Sequence, residues 1–116
     1  MAEELAVRSE VHGNAVVLRL DGDLDLVTAP MVNKSIKAAL EQSPPVLVVD
    51  LSGVEFMASA GLAELVAGHQ LAGPRTAFRV VAPNRATSRP LEMVGLTTVF
   101  GVFPTLDEAL ASPAHE

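Results

Sequence analysis

The stretch of sequence that decides the fold is VLVVDLSGVEFMASAGL, residues 46–62. Residues 46–50 are almost wholly apolar and rich in β-branched side chains, and the run is too short for a helix. This pattern is typical of a strand that is buried on both faces. The Ser-Gly pair at residues 52–53 predicts a turn after the strand, and residues 56–57 form a second short apolar segment. Ser59 is then expected to open a helix with a one-sided apolar stripe.

This arrangement delivers the Ser59 hydroxyl to the N-terminus of a helix. Unpaired backbone N–H groups and the helix dipole favour negative charge at such a position. A serine there suits two roles. It is either an acceptor of a phosphate group or an N-cap, whose hydroxyl accepts a hydrogen bond from the first turn of the helix. The two roles are compatible, and both stay open at this point.

Bulk properties narrow the class of function. The chain has 116 residues, enough for one domain with a modest core, and a net charge of −6. That charge and the absence of Trp and Tyr argue against nucleic-acid binding, which relies on Lys, Arg and base stacking. The acidic N-terminus has no apolar signal region, and no apolar run approaches bilayer length. We therefore expect a cytoplasmic protein that does not insert into membranes and that acts on a protein partner.

The first forty residues predict a hairpin and then a helix. Apolar residues alternate with polar ones from Leu5, and residues 15–20 are apolar, which indicates two antiparallel strands. The acidic segment DGDLD, residues 21–25, is interpreted as a solvated turn rather than a metal site, because the further ligands of a calcium loop are missing. Thr28 is expected to cap the helix, with Pro30 in its first turn. The apolar stripe of that helix consists of Val32, Ile36, Ala39 and Leu40.

Helices and strands continue to alternate in the second half of the chain. The helix that begins at Ser59 is expected to end at the Gly-Pro pair of residues 73–74. His69 lies on its apolar stripe, so we interpret it as a partly buried packing residue rather than a ligand or base. Residues 77–82 and 99–103 have the apolar composition of two further strands.

Between these strands, residues 83–90 are polar and are interpreted as a loop. Arg85 and Arg89 lie in it, and although arginines bind phosphate, a solvated loop is the default interpretation. A short apolar helical piece is expected at residues 91–94. Pro90 is assigned to the first turn of that piece, because proline disrupts a helix that begins earlier.

The end of the chain predicts one more helix. Residues 105–108 have the spacing of a capping box, and the helix is expected to end near Leu110. Residues 112–116 are expected to be a short flexible tail. The element order ββαβαβαβα predicts an α/β fold, a mixed β-sheet with an N-terminal hairpin and about four helices. We expect a single domain over residues 1–116, with its core over about residues 4–111.

Several motifs resemble those of the STAS family, the anti-sigma factor antagonists. Residues 50–62, DLSGVEFMASAGL, resemble its signature D-L-S-x-V-x-F-M-D-S-S-G-L, and residues 20–25 resemble its L-x-G-E-L-D turn. Residues 95–110 resemble its C-terminal G-L…F-x-x-F-x-T-x-x-E-A-L run. Two positions depart from the pattern, because Ala58 replaces the usual Asp and Ala60 replaces a frequent Ser.

The resemblance implies that Ser59 is a phosphorylated serine. It also implies a partner-binding surface that consists of Asp23, Asp25, Ala58, Ser59, Ala60, Gly61 and Leu62. The implied partner is an anti-sigma factor with serine kinase activity. The unmodified antagonist would bind this kinase and release the sigma factor, and the phosphorylated form would not. The resemblance leaves room for a phosphatase as a further partner, and for a monomer or a weak dimer.

Two other classes of function stay open. An enzyme has the least support, because the sequence contains no Walker-type phosphate loop, no G-x-S-x-G turn, no Cys and no histidine in a context that pairs with Ser59. No catalytic residue, cofactor site or metal site is therefore predicted. The other class is a non-phosphorylated STAS subunit of a larger assembly, such as a lipid-transport ATPase complex or a stress-signalling scaffold. Ala58 favours this alternative, whereas the intact Ser59 favours the switch.

Overall fold

A computed structural model of the chain describes residues 5–112. The strands are β1 (Leu5–His12), β2 (Ala15–Leu24), β3 (Val46–Met57), β4 (Ala77–Val81) and β5 (Gly101–Phe103). The helices are α1 (Ala29–Leu40), α2 (Ser59–Ala72), α3 (Arg85–Met93) and α4 (Leu106–Ala111), with a short 3-10 helix, Leu96–Thr98, before β5.

The strands form one sheet in the order β1-β2-β3-β4-β5. β1 pairs antiparallel with β2 across a two-residue turn, where Gly13 has a φ of 62°. The other neighbours are parallel, and each parallel pair is connected through a helix, α1, α2 or α3. The predicted α/β fold with a mixed sheet, an N-terminal hairpin and four helices is confirmed.

The sheet has a different cover on each face. One face carries the larger apolar core and packs against α1, α2 and α3, with Leu18 and Leu47 as examples of its buried side chains. The other face has a smaller core that includes Val17 and Val48 and is covered by α4. β3 lies in the middle of the sheet and contributes buried side chains to both cores, as its apolar sequence predicts.

Two strands are longer than predicted. β2 continues through Asp21 to Leu24, and β3 continues past residues 52–53 to Met57, so the turns predicted at both places are wrong. The reason is that these extensions pair with each other, with register shifts next to Asp21 and after Gly22. A Cβ on Gly53 would lie 1.8 Å from Asp21 Oδ1, so this glycine allows a close approach of two strands rather than a turn.

The predicted loop at residues 83–90 is also wrong, because α3 begins at Arg85 and contains Pro90 in its interior. The first turn is held by hydrogen bonds from the N–H groups of Thr87 and Ser88 to the Asn84 carbonyl, at 3.0 and 2.8 Å. Two residues of α3, Thr87 and Leu91, are fully buried. Packing therefore outweighs the local cost of a proline in this short helix.

The last part of the chain agrees with several predictions. Thr105 caps α4, since its Oγ1 accepts a hydrogen bond from the Glu108 N–H at 3.1 Å. β5 is shorter than the predicted strand and begins at Gly101. Of the predicted tail only Ser112 lies within the described residues, and its carbonyl accepts a hydrogen bond from Arg79 at 2.9 Å. Residues 113–116 and residue 4 lie outside them, so the domain and tail boundaries stay predictions.

His69 is a packing residue, as predicted. Its ring is half-buried, and its centroid lies 6.2 Å from that of Phe78 and 5.8 Å from that of Phe100. These contacts place the C-terminal half of α2 against β4 and the segment before β5.

Candidate functional site

Ser59 lies where the central strand passes into a helix. β3 ends at Met57, α2 begins at Ser59, and Ala58 joins them in an extended conformation with φ −91° and ψ 174°. The Ser59 side chain is exposed, and its hydroxyl makes no hydrogen bond to any described residue. The sheet thus presents a serine hydroxyl at a helix N-terminus, where it is accessible to another protein.

Of the two roles considered for Ser59, the structure contradicts that of N-cap, because Ala58 occupies the N-cap position of α2. The methyl group of Ala58 accepts no hydrogen bond, so α2 begins without a side-chain cap. The N–H groups of Gly61 and Leu62 instead donate to the Ala58 carbonyl, at 2.9 and 3.3 Å. Ala58, one of the two positions at which the sequence departs from the STAS signature, is therefore the N-cap itself, and the Ser59 hydroxyl makes no hydrogen bond among residues 5–112.

The end of β2 adjoins this helix start. The ladder between β2 and β3 pairs Asp23 with Phe56 and Leu24 with Met57. The Ala58 N–H then donates to the Leu24 carbonyl at 2.9 Å. The hydrogen bonding between the two strands therefore extends to Ala58, the residue directly before α2. The acidic segment and Ser59 are widely separated in sequence but adjoin in the fold.

Two of the three aspartates of this segment, Asp23 and Asp25, differ in their surroundings. Asp25 Oδ1 accepts hydrogen bonds from the N–H groups of Val27 and Thr28, at 3.0 and 3.1 Å. Asp25 therefore stabilises the loop before α1, a role that local aspartates often have in turns. Thr28 occupies the N-cap position of α1 with Pro30 in the first turn, as predicted, but its hydroxyl donates to the Asp23 carbonyl at 2.9 Å and forms no capping bond to the helix. The Asp23 side chain is exposed, so its carboxylate is available to a partner.

The loop that Asp25 stabilises presents large apolar side chains to solvent. Leu26 is 78% exposed and Val27 is 74% exposed, and Met31 in the first turn of α1 is also exposed. We call these three residues the loop patch. Contiguous exposed apolar side chains mark sites of protein association. These residues were not predicted to be functional, although two consecutive large apolar residues directly after an acidic segment are a usable signal in the sequence.

α1 and α2 lie side by side behind this surface. The Asn33 side-chain amide of α1 donates to Glu64 Oε1 of α2 at 3.1 Å. This bond fixes the loop patch, at the start of α1, relative to the start of α2. The structure therefore brings Asp23, the loop patch and Ser59 into one region.

Of the other residues assigned to the surface, Gly61 is buried. A Cβ at this position would lie 2.6 Å from Cγ of Leu24 and 3.1 Å from Cγ of Met57. Gly61 therefore allows α2 to pack closely on the strands instead of offering a contact to a partner. Ala60 and Leu62 are half-buried and lie next to Ser59 on α2.

The first residues of the signature, which begins at Asp50, stabilise the fold. Asp50 is only 3% exposed, and its carboxylate accepts hydrogen bonds from the Ser52 N–H at 2.9 Å and from Arg19 at 3.3 Å. Arg19 also donates to Glu10 at 2.9 Å. Hydrogen bonds from His12 and then Arg19 lower the pKa of Glu10 to about 2. This network lies on the sheet face that carries the smaller core.

Residues 5–112 contain no group of three or more His, Asp or Glu side chains that could hold a metal ion. No helix among them is long and apolar enough to cross a bilayer. Ser59 contributes an exposed hydroxyl, Asp23 an exposed carboxylate and the loop patch an apolar surface, and this combination is suited to binding a protein.

A model of the STAS domain matches residues 6–109, and the chain belongs to the STAS family. The anti-sigma-F factor antagonist RsfB of Mycobacterium tuberculosis is 37% identical over 108 residues, which cover 93% of this chain and 88% of that protein. The crystal structure of an anti-sigma factor antagonist from Mycobacterium paratuberculosis is 43% identical, with a TM-score of 0.89 and 92% of each chain covered.

The fold is also similar to that of the Bacillus cell fate determinant SpoIIAA in its phosphorylated form. The TM-score is 0.67 at 21% identity, over 90% of this chain and 96% of that chain. At this identity the likeness concerns the fold.

Proposed function

We propose that this chain is an anti-sigma factor antagonist that is switched off by phosphorylation of Ser59. In the unmodified state it binds an anti-sigma factor with serine kinase activity and thereby releases the sigma factor. The observation that carries the proposal is the exposed Ser59 hydroxyl, which has no hydrogen bond among the described residues and lies at the start of α2. The names of two of its relatives, each an anti-sigma factor antagonist, support it.

Phosphate on Ser59 would change the surface more than the fold. The group adds a charge of about −1.5 to −2. The first-turn N–H groups and the positive end of the helix dipole accommodate it, because α2 has no side-chain cap that competes for them. Asp23 contributes an exposed carboxylate nearby, so a partner that docks on this region must desolvate additional negative charge. Binding weakens through that cost and through steric exclusion.

The loop patch supplies the apolar contact that such a switch requires. Leu26, Val27 and Met31 are exposed in the unbound chain, and their burial against a partner is favourable. Ala58, Ala60 and Leu62 complete the contact around Ser59, with Gly61 beneath it. In this function the chain is a cytoplasmic binding protein rather than an enzyme. A phosphatase would remove the phosphate from Ser59 and restore the active form.

The test is phosphorylation by the cognate anti-sigma kinase with ATP, followed by phosphopeptide mapping. We expect one phosphate, on Ser59. Ser59→Ala should keep partner binding, and Ser59→Glu should bind at least about tenfold more weakly, which corresponds to about 1.4 kcal/mol. Ser9→Glu is the matched control, since it adds the same charge at an exposed serine of β1 and should bind as the wild type does.

Two outcomes would overturn the proposal. Phosphate found on Ser52 or Thr87 instead of Ser59 would show that the acceptor has been misassigned. Equal affinities of Ser59→Ala and Ser59→Glu would favour the second candidate function, a STAS subunit that acts without phosphorylation. The observation in favour of that alternative is Ala58, which stands at the N-cap where the family signature has Asp.

A further inference from the structure

A second apolar surface lies on the other side of the Ser59 region, between the end of β3 and α3. It is a groove of about 500 Å³. Phe56 and Leu62 line it from β3 and α2, and Pro90, Met93 and Val94 line it from α3 and the residue after it. Neither the sequence motifs nor the proposed phosphorylation of Ser59 explains this groove.

The apolar side chains of the groove are unusually open to solvent. Phe56 is 54% exposed, Met93 is 73% exposed and Val94 is 57% exposed. All four phenylalanines of the chain lie within the described residues, and Phe56 alone among them is exposed. A contiguous surface of this kind is expected where another molecule docks.

The rim of the groove carries positive charge in a chain of net charge −6. Arg85 and Arg89 lie one helical turn apart on α3 and are both exposed. Neither forms an ion pair with any of residues 5–112, although the exposed carboxylate of Glu55 also lines the groove. These two guanidinium groups, without an ion pair in the described part of the chain, lie beside an apolar surface and are complementary to carboxylates, which arginine binds in a bidentate geometry.

We propose that this groove binds an amphipathic segment of a protein partner in which acidic side chains flank apolar ones. The apolar side chains would cover Phe56 and Met93, and the carboxylates would pair with Arg85 and Arg89. Leu62 connects the groove to the Ser59 region, so one partner can occupy both surfaces. A role of the groove in selecting among anti-sigma factors rests on the proposed function. Binding of an acidic amphipathic segment in the groove does not, and it can be tested without an anti-sigma factor.

The first experiment reverses the charge of the rim. Arg85→Glu/Arg89→Glu is compared with Lys34→Glu/Lys37→Glu, which makes the same charge change at two exposed lysines of α1. By calorimetric titration with the anti-sigma factor, we expect the first pair to weaken binding at least about tenfold and the second to stay within about twofold of wild type. Met93→Ser should also weaken binding, and Val11→Ser is its control, because both side chains are 73% exposed.

The second experiment needs no anti-sigma factor. The ¹⁵N-labelled protein is titrated with the amphipathic peptide acetyl-ELLDELLDE-amide and with its basic counterpart acetyl-KLLKKLLKK-amide. We expect the acidic peptide to cause saturable amide shifts at residues 55–57, at Leu62 and along α3. The basic peptide should cause none there, and Arg85→Glu/Arg89→Glu should abolish the response to the acidic one.

The outcomes separate the two proposals. If the kinase phosphorylates Ser59 but charge reversal at Arg85 and Arg89 leaves its affinity unchanged, the inference about the groove is wrong and the proposed function stands. If no kinase modifies Ser59 while the acidic peptide binds with the stated selectivity, the proposed function is wrong and the groove stands. The groove proposal would be overturned if the acidic peptide caused no saturable amide shifts. It would also be overturned if phosphatidylglycerol vesicles shifted the amide signals of α3 and the peptide did not.

Discussion

Replacing Ala58 by Asp should stabilise the fold, because Ala58 is the N-cap of α2 and supplies no capping oxygen. An Asp side chain at this position can accept a hydrogen bond from the Ala60 N–H, and Asp-to-Ala changes at N-caps cost about 1 kcal/mol, within a range of roughly 0.5–2. The helix dipole adds about 0.3–1 kcal/mol for a carboxylate here. Repulsion from the exposed Asp23 side chain offsets part of this gain, on the order of 0–1 kcal/mol.

The net expectation is a gain of about 1 kcal/mol in the free energy of unfolding. With a urea dependence of about 2 kcal/mol per molar, this raises the urea midpoint by roughly 0.5 M. For a domain of this size, the thermal midpoint rises by roughly 3–6 °C. Urea titration followed by circular dichroism measures the first quantity and scanning calorimetry the second.

The matched control is Ser59→Ala, which alters a hydroxyl that has no hydrogen bond among the described residues. Its stability should stay within about 0.5 kcal/mol of wild type. If instead Ser59→Ala loses about 1 kcal/mol or more and Ala58→Asp gains nothing, then Ser59 is the cap and α2 begins one residue later. Because the two substitutions touch adjacent residues, the pair of results locates the helix start to a single residue.

Two further predictions concern other parts of the fold. Gly61→Ala should lower the free energy of unfolding by about 1–2 kcal/mol. Overpacking costs about 1–3 kcal/mol, and the better helix propensity of Ala offsets up to about 1 kcal/mol of that cost. If urea titration showed the variant to be as stable as the wild type, α2 would not pack this closely on the strands. Glu10→Gln should destabilise the protein at pH 7, because hydrogen bonds from His12 and Arg19 lower the folded-state pKa of Glu10 to about 2 from about 4.5. The carboxylate therefore contributes stability above pH 4.5 that is lost as the pH falls towards 2. The urea midpoints of the wild type and of Glu10→Gln should converge as the pH falls over that range. A difference that stays constant with pH would contradict the lowered pKa of Glu10.

Features that depend on neighbouring residues could be predicted from the sequence. The apolar run at residues 46–50 predicted the central strand, and the spacing of Thr105 and Glu108 predicted the cap of α4. His69 was assigned to packing from its position on an apolar stripe, and it contacts Phe78 as that assignment requires. Each of these features is decided within one element or one turn.

Features that depend on distant pairing could not be predicted. Asp21 and Gly53 have the composition of turns, and only their pairing with each other keeps both in strands. Pro90 argues locally against a helix, and the burial of Leu91 outweighs it. At the candidate site, the motif indicated Ser59 as the phosphate acceptor, which stays a prediction, and only the path of the chain shows that the neighbouring Ala58 occupies the N-cap position.

The two edges of the sheet determine how this protein behaves at high concentration. β1, at one edge, has eight residues and would pair readily with a strand of another molecule, but it carries the exposed Arg8 and the half-exposed Glu10. β5, at the other edge, has only three residues. Charge on one edge and shortness of the other both oppose strand pairing between molecules. We therefore expect the folded chain to resist edge-to-edge aggregation, so that precipitation of a destabilised variant would report unfolding rather than association of native molecules.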